Sequence, residues 1–194
     1  FLTFPYISRV LGVTNIGICN FVDSIINYFI MLSMMGIGAV AIREISSKRK
    51  DKEALSKSFS SLLVLNGLST LLFAAVLTCL IFTVPKFYTY KHLMFIGLFK
   101  VIFNLFLIEW FYTGMENFKY VTNRSIIIKI IYVASIFIFV RKSDDYTLYY
   151  LLTSLMIACN AIINIIYARY YVHFSFHHIN LSPYIKPFII IGLY

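Results

Sequence analysis

Long apolar stretches without a charged side chain are the feature that most limits how this chain can fold. Residues 58–85 contain no Asp, Glu, Lys or Arg, and neither do residues 146–168. A helix of about 20 apolar residues is long enough to cross the hydrocarbon core of a bilayer. Charged residues make up only 13% of the 194 residues, whereas soluble domains carry about 25%. The sequence therefore predicts an all-α integral membrane protein, a polytopic helix bundle.

The apolar stretches divide the chain into five complete spans and two incomplete ones. The complete spans are predicted over residues 17–41, 60–84, 92–113, 124–141 and 146–168. Partial helices are predicted over residues 1–8 and 188–194, which are too short to cross a bilayer alone. Both ends therefore indicate that the chain is part of a larger protein. Short links at 85–91 and 142–145 predict that consecutive helices lie antiparallel.

Basic residues lie in clusters between the predicted spans, and their distribution predicts the orientation. Six Lys or Arg side chains fall within residues 43–57, and segments 114–124 and 169–186 add four more. The links on the opposite side carry five, including Arg9. Because Lys and Arg are enriched in cytoplasmic loops, the first set is predicted to face the cytoplasm. The formal net charge of +9 fits this layout. The sequence has no basic face with interleaved aromatic residues, so it does not indicate a nucleic-acid partner.

Polar side chains repeat at helical spacing inside each span. Asn20, Asp23, Ser24 and Asn27 follow the i, i+3, i+4, i+7 pattern of one helix face. Similar stripes occur in the other spans. Together they give the candidate substrate-binding residues Asp23, Asn27, Lys100, Asn104, Lys129, Asn160 and Asn164. Polar groups in hydrocarbon normally face a bundle interior or a hydrated cavity. The stripes therefore predict either one shared hydrated cavity or interhelical hydrogen bonds that hold the bundle together.

The charged side chains inside the spans allow two interpretations. Lys100 and Lys129 would suit an anionic substrate, but a lysine can also extend its ammonium group to the membrane interface. Glu109 lies nine residues after Lys100. That spacing places the two on opposite sides of one continuous helix, so they are not expected to pair. Glu109 is also close enough to the cytoplasmic end of its span to reach the interface.

Residues that could support catalysis or hold a metal are scarce. The three cysteines lie far apart within apolar stretches and form no CxxC pair, so they are predicted to be small packing residues. His173, His177 and His178 have the best spacing for metal ligands, but no carboxylate lies nearby. No nucleophile–base set, phosphate-binding loop or carboxylate pair is present. The sequence therefore predicts neither an enzyme nor a bound metal or cofactor.

Three segments resemble a known family of membrane proteins. They are residues 5–12 (PYISRVLG), residues 36–45 (GIGAVAIREI), which precede a basic loop, and residues 109–118 (EWFYTGMENF). In this order they resemble bacterial polysaccharide biosynthesis flippases of the Wzx type. That family shares a superfamily with the multidrug and toxin extrusion transporters and with the lipid II flippase. The resemblance covers the whole chain, and the set of motifs is more specific than any one of them.

The resemblance implies the two-lobe fold of the multidrug and toxin extrusion type, with this chain as the N-terminal lobe. Such proteins have twelve or more helices around a central cavity, so a C-terminal lobe of the same chain is an implied partner. They move an undecaprenyl-pyrophosphate-linked oligosaccharide across the bacterial cytoplasmic membrane by alternating access. Arg9 matches the position where the lipid II flippase carries a cavity arginine, and a guanidinium group can bind phosphate in a bidentate manner. The other implied partners are the lipid-linked substrate and the membrane lipids.

Two other function classes remain open. A drug or cation antiporter of the extrusion type would share the fold. Its cavity needs acidic residues, and Asp23 is the only deep carboxylate, against Arg9, Lys100 and Lys129, which favours an anionic substrate. A membrane-embedded glycosyltransferase or polymerase would need catalytic acid or base residues or a large extramembrane loop. No predicted loop exceeds about twenty residues.

Overall fold

A computed structural model describes residues 3–174 and 179–193, and every regular element within these ranges is helical. The α-helices, in chain order, are α1 Thr3–Met34, α2 Ile37–Lys48, α3 Lys52–Thr83, α4 Pro85–Thr89, α5 Lys91–Asn104, α6 Glu109–Gly114, α7 Phe118–Phe139, α8 Tyr146–Ala168 and α9 Ser182–Leu193. Two short 3₁₀ helices, Leu105–Leu107 and Ser143–Asp145, precede α6 and α8.

Within the described residues, five helical stretches are long and apolar enough to cross a membrane, which confirms the predicted polytopic all-α bundle. They are Thr3–Met34, Lys52–Thr83, Lys91–Gly114, Phe118–Phe139 and Ser143–Ala168. Large apolar side chains such as Leu71 and Ile130 remain exposed along them. Such a surface suits lipid rather than water, because soluble proteins rarely expose large contiguous apolar areas.

Helix α1 consists of two arms that meet at Gly12. The φ angle of Gly12 is 76°, a conformation that favours glycine because a Cβ atom would be strained there. The chain is helical on both sides of Gly12. The sequence predicted no helix between residues 8 and 17. The first arm packs on the end of α7, where the Tyr6 hydroxyl donates to the Val140 carbonyl oxygen at 2.8 Å.

The second arm of α1 ends at Met34, well before the predicted end of the first complete span at residue 41. Met35 takes a positive φ of 34°, and α2 starts two residues later. A Cβ atom on Gly36 would lie 2.7 Å from the Phe188 carbonyl oxygen of α9. The close approach of α9 therefore requires glycine here, a long-range contact that hydropathy does not reveal.

Helices begin earlier at the basic segments than the sequence predicted. α3 begins at Lys52 rather than residue 60, α7 at Phe118 rather than residue 124, and α9 at Ser182 rather than residue 188. The segments predicted as loops over 43–57 and 114–123 are therefore largely helical. Long basic side chains on such helix ends can still reach water. α8 agrees with the predicted span over 146–168.

The span predicted over residues 92–113 is interrupted. α5 ends at Asn104, a 3₁₀ turn follows, and Ile108 takes a φ of 38° before α6 begins. The prediction that Lys100 and Glu109 lie on opposite sides of one helix is therefore wrong, because no single helix contains both. Each of the two side chains pairs with a residue of another helix.

Two buried apolar clusters position the polar residues. The first lies at the basic end of the bundle, which we define by segments 43–57, 114–124 and 169–186, and it includes Ile45 and Trp110. The second joins α1, α3, α5 and α8. Within it Gly97 of α5 lies directly against Ile26 of α1, where any larger residue would clash. This close approach allows short side-chain contacts between α1 and α5.

Candidate functional site

Helices α5 and α8 share a row of buried polar side chains. We call this row the polar seam, and its members are Lys100, Asn104, Ser154, Asn160 and Asn164. Lys100 and Asn104 are four residues apart on α5, and Asn160 and Asn164 are four apart on α8, so each pair lies on one helix face. The Ser154 hydroxyl donates to the Ile96 carbonyl oxygen at 3.3 Å. The seam therefore joins α5 and α8 directly.

Helix α1 supplies the counter-ion of Lys100. The Lys100 ammonium group donates to the Asp23 carboxylate, and the Asn27 amide donates to the other carboxylate oxygen at 3.1 Å. The Lys100 side chain is 6% exposed, whereas that of Asp23 is 36% exposed. The Lys100 nitrogen also lies 5.1 Å from the centre of the Tyr150 ring, a cation–π contact. The pair therefore buries its cation and leaves its carboxylate partly accessible.

Arg124 of α7 forms a second and larger network at the basic end. Its guanidinium group donates to the side-chain oxygen of Asn164 and, at 3.2 Å, to the Glu109 carboxylate. The Asn164 amide donates to the Leu107 carbonyl oxygen in the turn before α6. The Tyr112 hydroxyl donates to the Asn164 carbonyl oxygen at 2.5 Å. Asn164 therefore connects α8 to α6, to α7 and to the turn.

Tyrosine side chains cover the Arg124 network. The Tyr120 hydroxyl donates to the side-chain oxygen of Asn164 at 3.1 Å. The rings of Tyr120 and Tyr167 stack with their centres 3.9 Å apart. The hydrogen bond with Tyr167 and partial burial raise the pKa of Tyr171, beyond the end of α8. The Tyr171 hydroxyl accepts a hydrogen bond from the Asn117 amide at 3.0 Å.

The other predicted site residues lie outside these two networks. The Asn160 amide donates to the Met156 carbonyl oxygen at 2.8 Å, and its side-chain oxygen has no hydrogen-bond partner among the described residues. Asn104 is buried one turn after Lys100. Arg9 and Lys129 are exposed, and within residues 3–174 and 179–193 neither forms an ion pair.

The structure thus brings three of the eight predicted site residues together. Asp23, Asn27 and Lys100 share one set of hydrogen bonds, while Asn164 belongs to the Arg124 network. Interhelical hydrogen bonding, one of the two interpretations of the stripes, accounts for Asn164. Substrate binding by any of the eight residues stays a prediction.

The free positive charge inside the spans is smaller than the sequence suggested. The sequence predicted that Lys100 is a cation available to an anionic substrate, but Asp23 compensates its charge. A buried charge normally has such a partner, because an uncompensated one is strongly destabilising. Lys129 is the exposed cation that remains in the middle of α7.

Arg124 and Glu109 are the residues whose contacts the sequence analysis missed. It assigned Arg124 to the edge of a loop and Glu109 to the membrane interface. The available signal was that both charges lie near those ends of consecutive spans that the sequence predicts to face the cytoplasm. The two residues are 15 positions apart, and this spacing alone does not predict an ion pair. The contact depends on the tight turn between α6 and α7.

Metal-ligating side chains do not cluster in the part of the chain that the structure describes, where no group of three His, Cys, Asp or Glu residues could hold an ion. The backbone N–H of His173 donates to the Ser56 hydroxyl at 3.1 Å. His177 and His178 lie outside the described residues. Cys19 is buried, Cys79 and Cys159 are exposed, and all three are free thiols.

Comparison with known proteins identifies the family. Residues 1–194 match the family of polysaccharide biosynthesis proteins. A curated relative from Escherichia coli (strain K12), named "Putative O-antigen transporter", is 29% identical over 146 residues, which cover 74% of this chain and 35% of the relative. The chain thus spans about a third of the length of that relative, and no solved structure matches it. The chain belongs to the polysaccharide biosynthesis protein family.

Proposed function

We propose that this chain is the N-terminal lobe of a flippase that moves undecaprenyl-pyrophosphate-linked oligosaccharide repeat units across the bacterial cytoplasmic membrane. A C-terminal lobe of the same polypeptide would complete the protein, and the two lobes would carry the substrate by alternating access. The family match and the name of the Escherichia coli relative support this proposal. The basic end of the bundle faces the cytoplasm in the proposed orientation.

The observation that carries the proposal is the Asp23–Lys100 pair. It lies within two membrane spans, where an isolated charge would cost roughly 3 kcal/mol. Packing alone does not favour such a pair, because apolar residues of similar volume are often as stable. Ionisable residues inside membrane spans commonly mark the pathway of a substrate or an ion. The partly accessible carboxylate of Asp23 fits that role.

The pair offers a route for binding a diphosphate. An incoming phosphate group can replace the Asp23 carboxylate as the acceptor for Lys100, so that the buried cation never loses its counter-ion. Asn27 is exposed beside Asp23, and its amide can bond to a phosphate oxygen or a sugar hydroxyl. Competition between Asp23 and the substrate would then set the affinity for the anion.

A cation antiporter, the alternative that shares the fold, would use Asp23 differently. It needs a carboxylate that is free to bind a cation or a proton, whereas Lys100 and Asn27 bond to the two carboxylate oxygens here. The two functions therefore make opposite predictions for Lys100→Met, which releases Asp23. A flippase would lose oligosaccharide transport, and an antiporter would bind its cation more tightly.

The test uses the full-length protein reconstituted in liposomes with a fluorescent undecaprenyl-pyrophosphate oligosaccharide. Wild-type protein should move the lipid between leaflets. Lys100→Met should reduce the rate about tenfold or more, since one charge-assisted hydrogen bond to the substrate is lost. Lys50→Gln, an equal charge change in the exposed turn between α2 and α3, should leave the rate unchanged.

Two outcomes would contradict the proposal. The wild-type protein in liposomes could export a cationic drug and leave the lipid-linked oligosaccharide in place. That result would favour the antiporter. Residues 1–194 expressed alone should not transport, because alternating access moves one lobe against another. Translocation by this chain alone would therefore rule out the two-lobe mechanism.

A further inference from the structure

Helix α7 is the least buried of the five spanning helices. It packs chiefly on α8 and α6 in the described part of the chain, and its exposed residues include Ile127 and Ile131. A groove runs along the contact between α7 and α8. Because the groove opens on the apolar side of α7, a lipid can reach it from the surrounding leaflet.

The groove is polar at the basic end of the bundle. A cavity of about 480 Å³ lies there, and its polar walls are formed by Asn117, Lys119, Tyr120, Asn123, Arg124 and Tyr167. Lys119 is exposed and forms no ion pair with the residues that the structure describes. Glu109 compensates part of the charge of Arg124, so Lys119 is the main free cation of this cavity.

The groove becomes apolar towards the middle of α7. A second cavity of about 290 Å³ is lined by Ile131, Leu152, Leu155 and Cys159 among others. Ile128 and Ile163 line both cavities, so the two cavities lie next to each other. One end of the groove therefore offers cations and amides, and the other offers an apolar channel between two helices.

We propose that the groove binds an anionic phospholipid of the leaflet at the basic end, which is the cytoplasmic leaflet in the proposed orientation. The phosphate group lies between Lys119 and the Arg124 side of the cavity, and Asn123 donates a further hydrogen bond. One acyl chain follows Ile128 and Ile163 into the apolar cavity. Basic pockets between membrane helices on the cytoplasmic side recognise anionic headgroups in this way.

The two ends of the groove together select this class of ligand. A soluble phosphate would use Lys119 and Arg124 but gain nothing from the apolar cavity. A zwitterionic phospholipid would fill the apolar cavity, but the ammonium group of its headgroup would lie beside two cations. An anionic phospholipid satisfies both ends, and its binding would attach α7 to α8 whatever substrate the protein transports.

Native mass spectrometry tests the proposal. The full-length protein in detergent is mixed with phosphatidylglycerol and phosphatidylcholine of identical acyl chains, and the bound lipid is identified. Phosphatidylglycerol should remain bound preferentially. Lys119→Gln should weaken its binding about fivefold, because one lysine beside an anionic headgroup contributes about 1 kcal/mol. Lys50→Gln is the matched control, since it removes an equal charge at the same end of the bundle but outside the groove. Both lysines are exposed, so neither change should disturb folding.

Cys159→Phe tests the apolar end independently, because the larger side chain should obstruct the channel and displace the same lipid. Equal retention of the two phospholipids by wild-type protein would overturn the proposal. Equal weakening by Lys119→Gln and Lys50→Gln would show only a general charge effect and would also overturn it. Displacement of phosphatidylglycerol by equimolar undecaprenyl pyrophosphate would assign the groove to the substrate instead.

Discussion

Among the described residues, two ionic sites with a buried cation differ in the number of helices that their hydrogen bonds join. The hydrogen bond of the Asp23–Lys100 pair joins α1 to α5, Lys100 also lies beside the Tyr150 ring of α8, and the Asp23 carboxylate is partly accessible. Arg124, with a side chain that is 4% exposed, belongs to a network that joins α6, α7, α8 and the turn before α6. A single contact can open and re-form without unpacking the helices, whereas a shared network resists opening. The comparison suggests a movable contact at the first site and a fixed junction at the second.

Arg124→Met should cause the largest loss of stability if the second site is the fixed junction. The change removes the charged donor to the buried Asn164 side chain, and a hydrogen bond from a charged group contributes about 3 kcal/mol at most. The Glu109 carboxylate also loses its counter-ion, but its side chain is 57% exposed and solvent screens that loss. The full-length variant should therefore show a clearly lower Tm in detergent. Lys129→Met is the control, since Lys129 is an exposed cation on the same helix. Equal Tm values for the two variants would remove the distinction between the sites.

A double-mutant cycle at Asp23 and Lys100 sharpens the comparison. Lys100→Met alone leaves a carboxylate without its counter-ion, so Asp23→Asn combined with Lys100→Met should recover stability relative to the single variant. The expected coupling free energy is about 1–3 kcal/mol, measured by chemical denaturation of the full-length protein. The double variant should still fail to transport. Recovery of both stability and transport would show that the pair only holds α1 against α5.

Arg9 tests a cation that belongs to neither buried site. It is exposed on the first arm of α1, so Arg9→Ala should leave Tm nearly unchanged. If Arg9 binds the pyrophosphate in a bidentate manner, alanine should abolish surface polysaccharide in a flippase-deficient strain and lysine should restore it poorly. Protein levels in the membrane should be equal. Normal export by both Arg9→Ala and Arg9→Glu would indicate an interfacial anchor.

Glu44 gives the smallest expected effect and depends on pH. It accepts a hydrogen bond from Tyr184 at 2.8 Å, which joins α2 to α9, and one from Lys48 of its own helix at 2.5 Å. Burial favours a higher pKa, but the hydrogen bonds from Lys48 and Tyr184 outweigh it and hold the Glu44 pKa below its ordinary value of 4.5. The contact therefore stabilises the fold fully above pH 4.5 and loses this contribution as pH falls through the lower, folded pKa.

The measurement is Tm between pH 7 and pH 3.5 for wild-type protein and for Glu44→Gln. Wild type should lose more stability on acidification than Glu44→Gln, which has no carboxylate to protonate. Tyr184→Phe should reduce this difference, because it removes one of the donors to Glu44. Parallel pH curves for wild type and Glu44→Gln would show that the contact does not contribute.

Hydropathy predicted the spanning helices well, but not where they break. The span over 146–168 agrees with α8, and its residues include no charged side chain. The interruptions at Gly12, Gly36 and Ile108 lie inside apolar sequence. Each depends on a backbone conformation or on a helix packed nearby, and hydropathy contains neither kind of information.

The sequence alone determined that the chain is a helical membrane protein, because the lack of charge over residues 58–85 and 146–168 leaves the bilayer as the suitable solvent. It also identified Asp23, Lys100 and Asn164 as unusual, since polar groups in apolar spans are costly. Only the tertiary structure decided their partners. Lys100 meets Asp23 because α5 approaches α1 closely at Gly97, and Asn164 meets Arg124 because α8 packs along α7. The first pair is separated by 77 positions in the sequence and the second by 40. Helix packing brings each pair together, and no local sequence pattern specifies that packing.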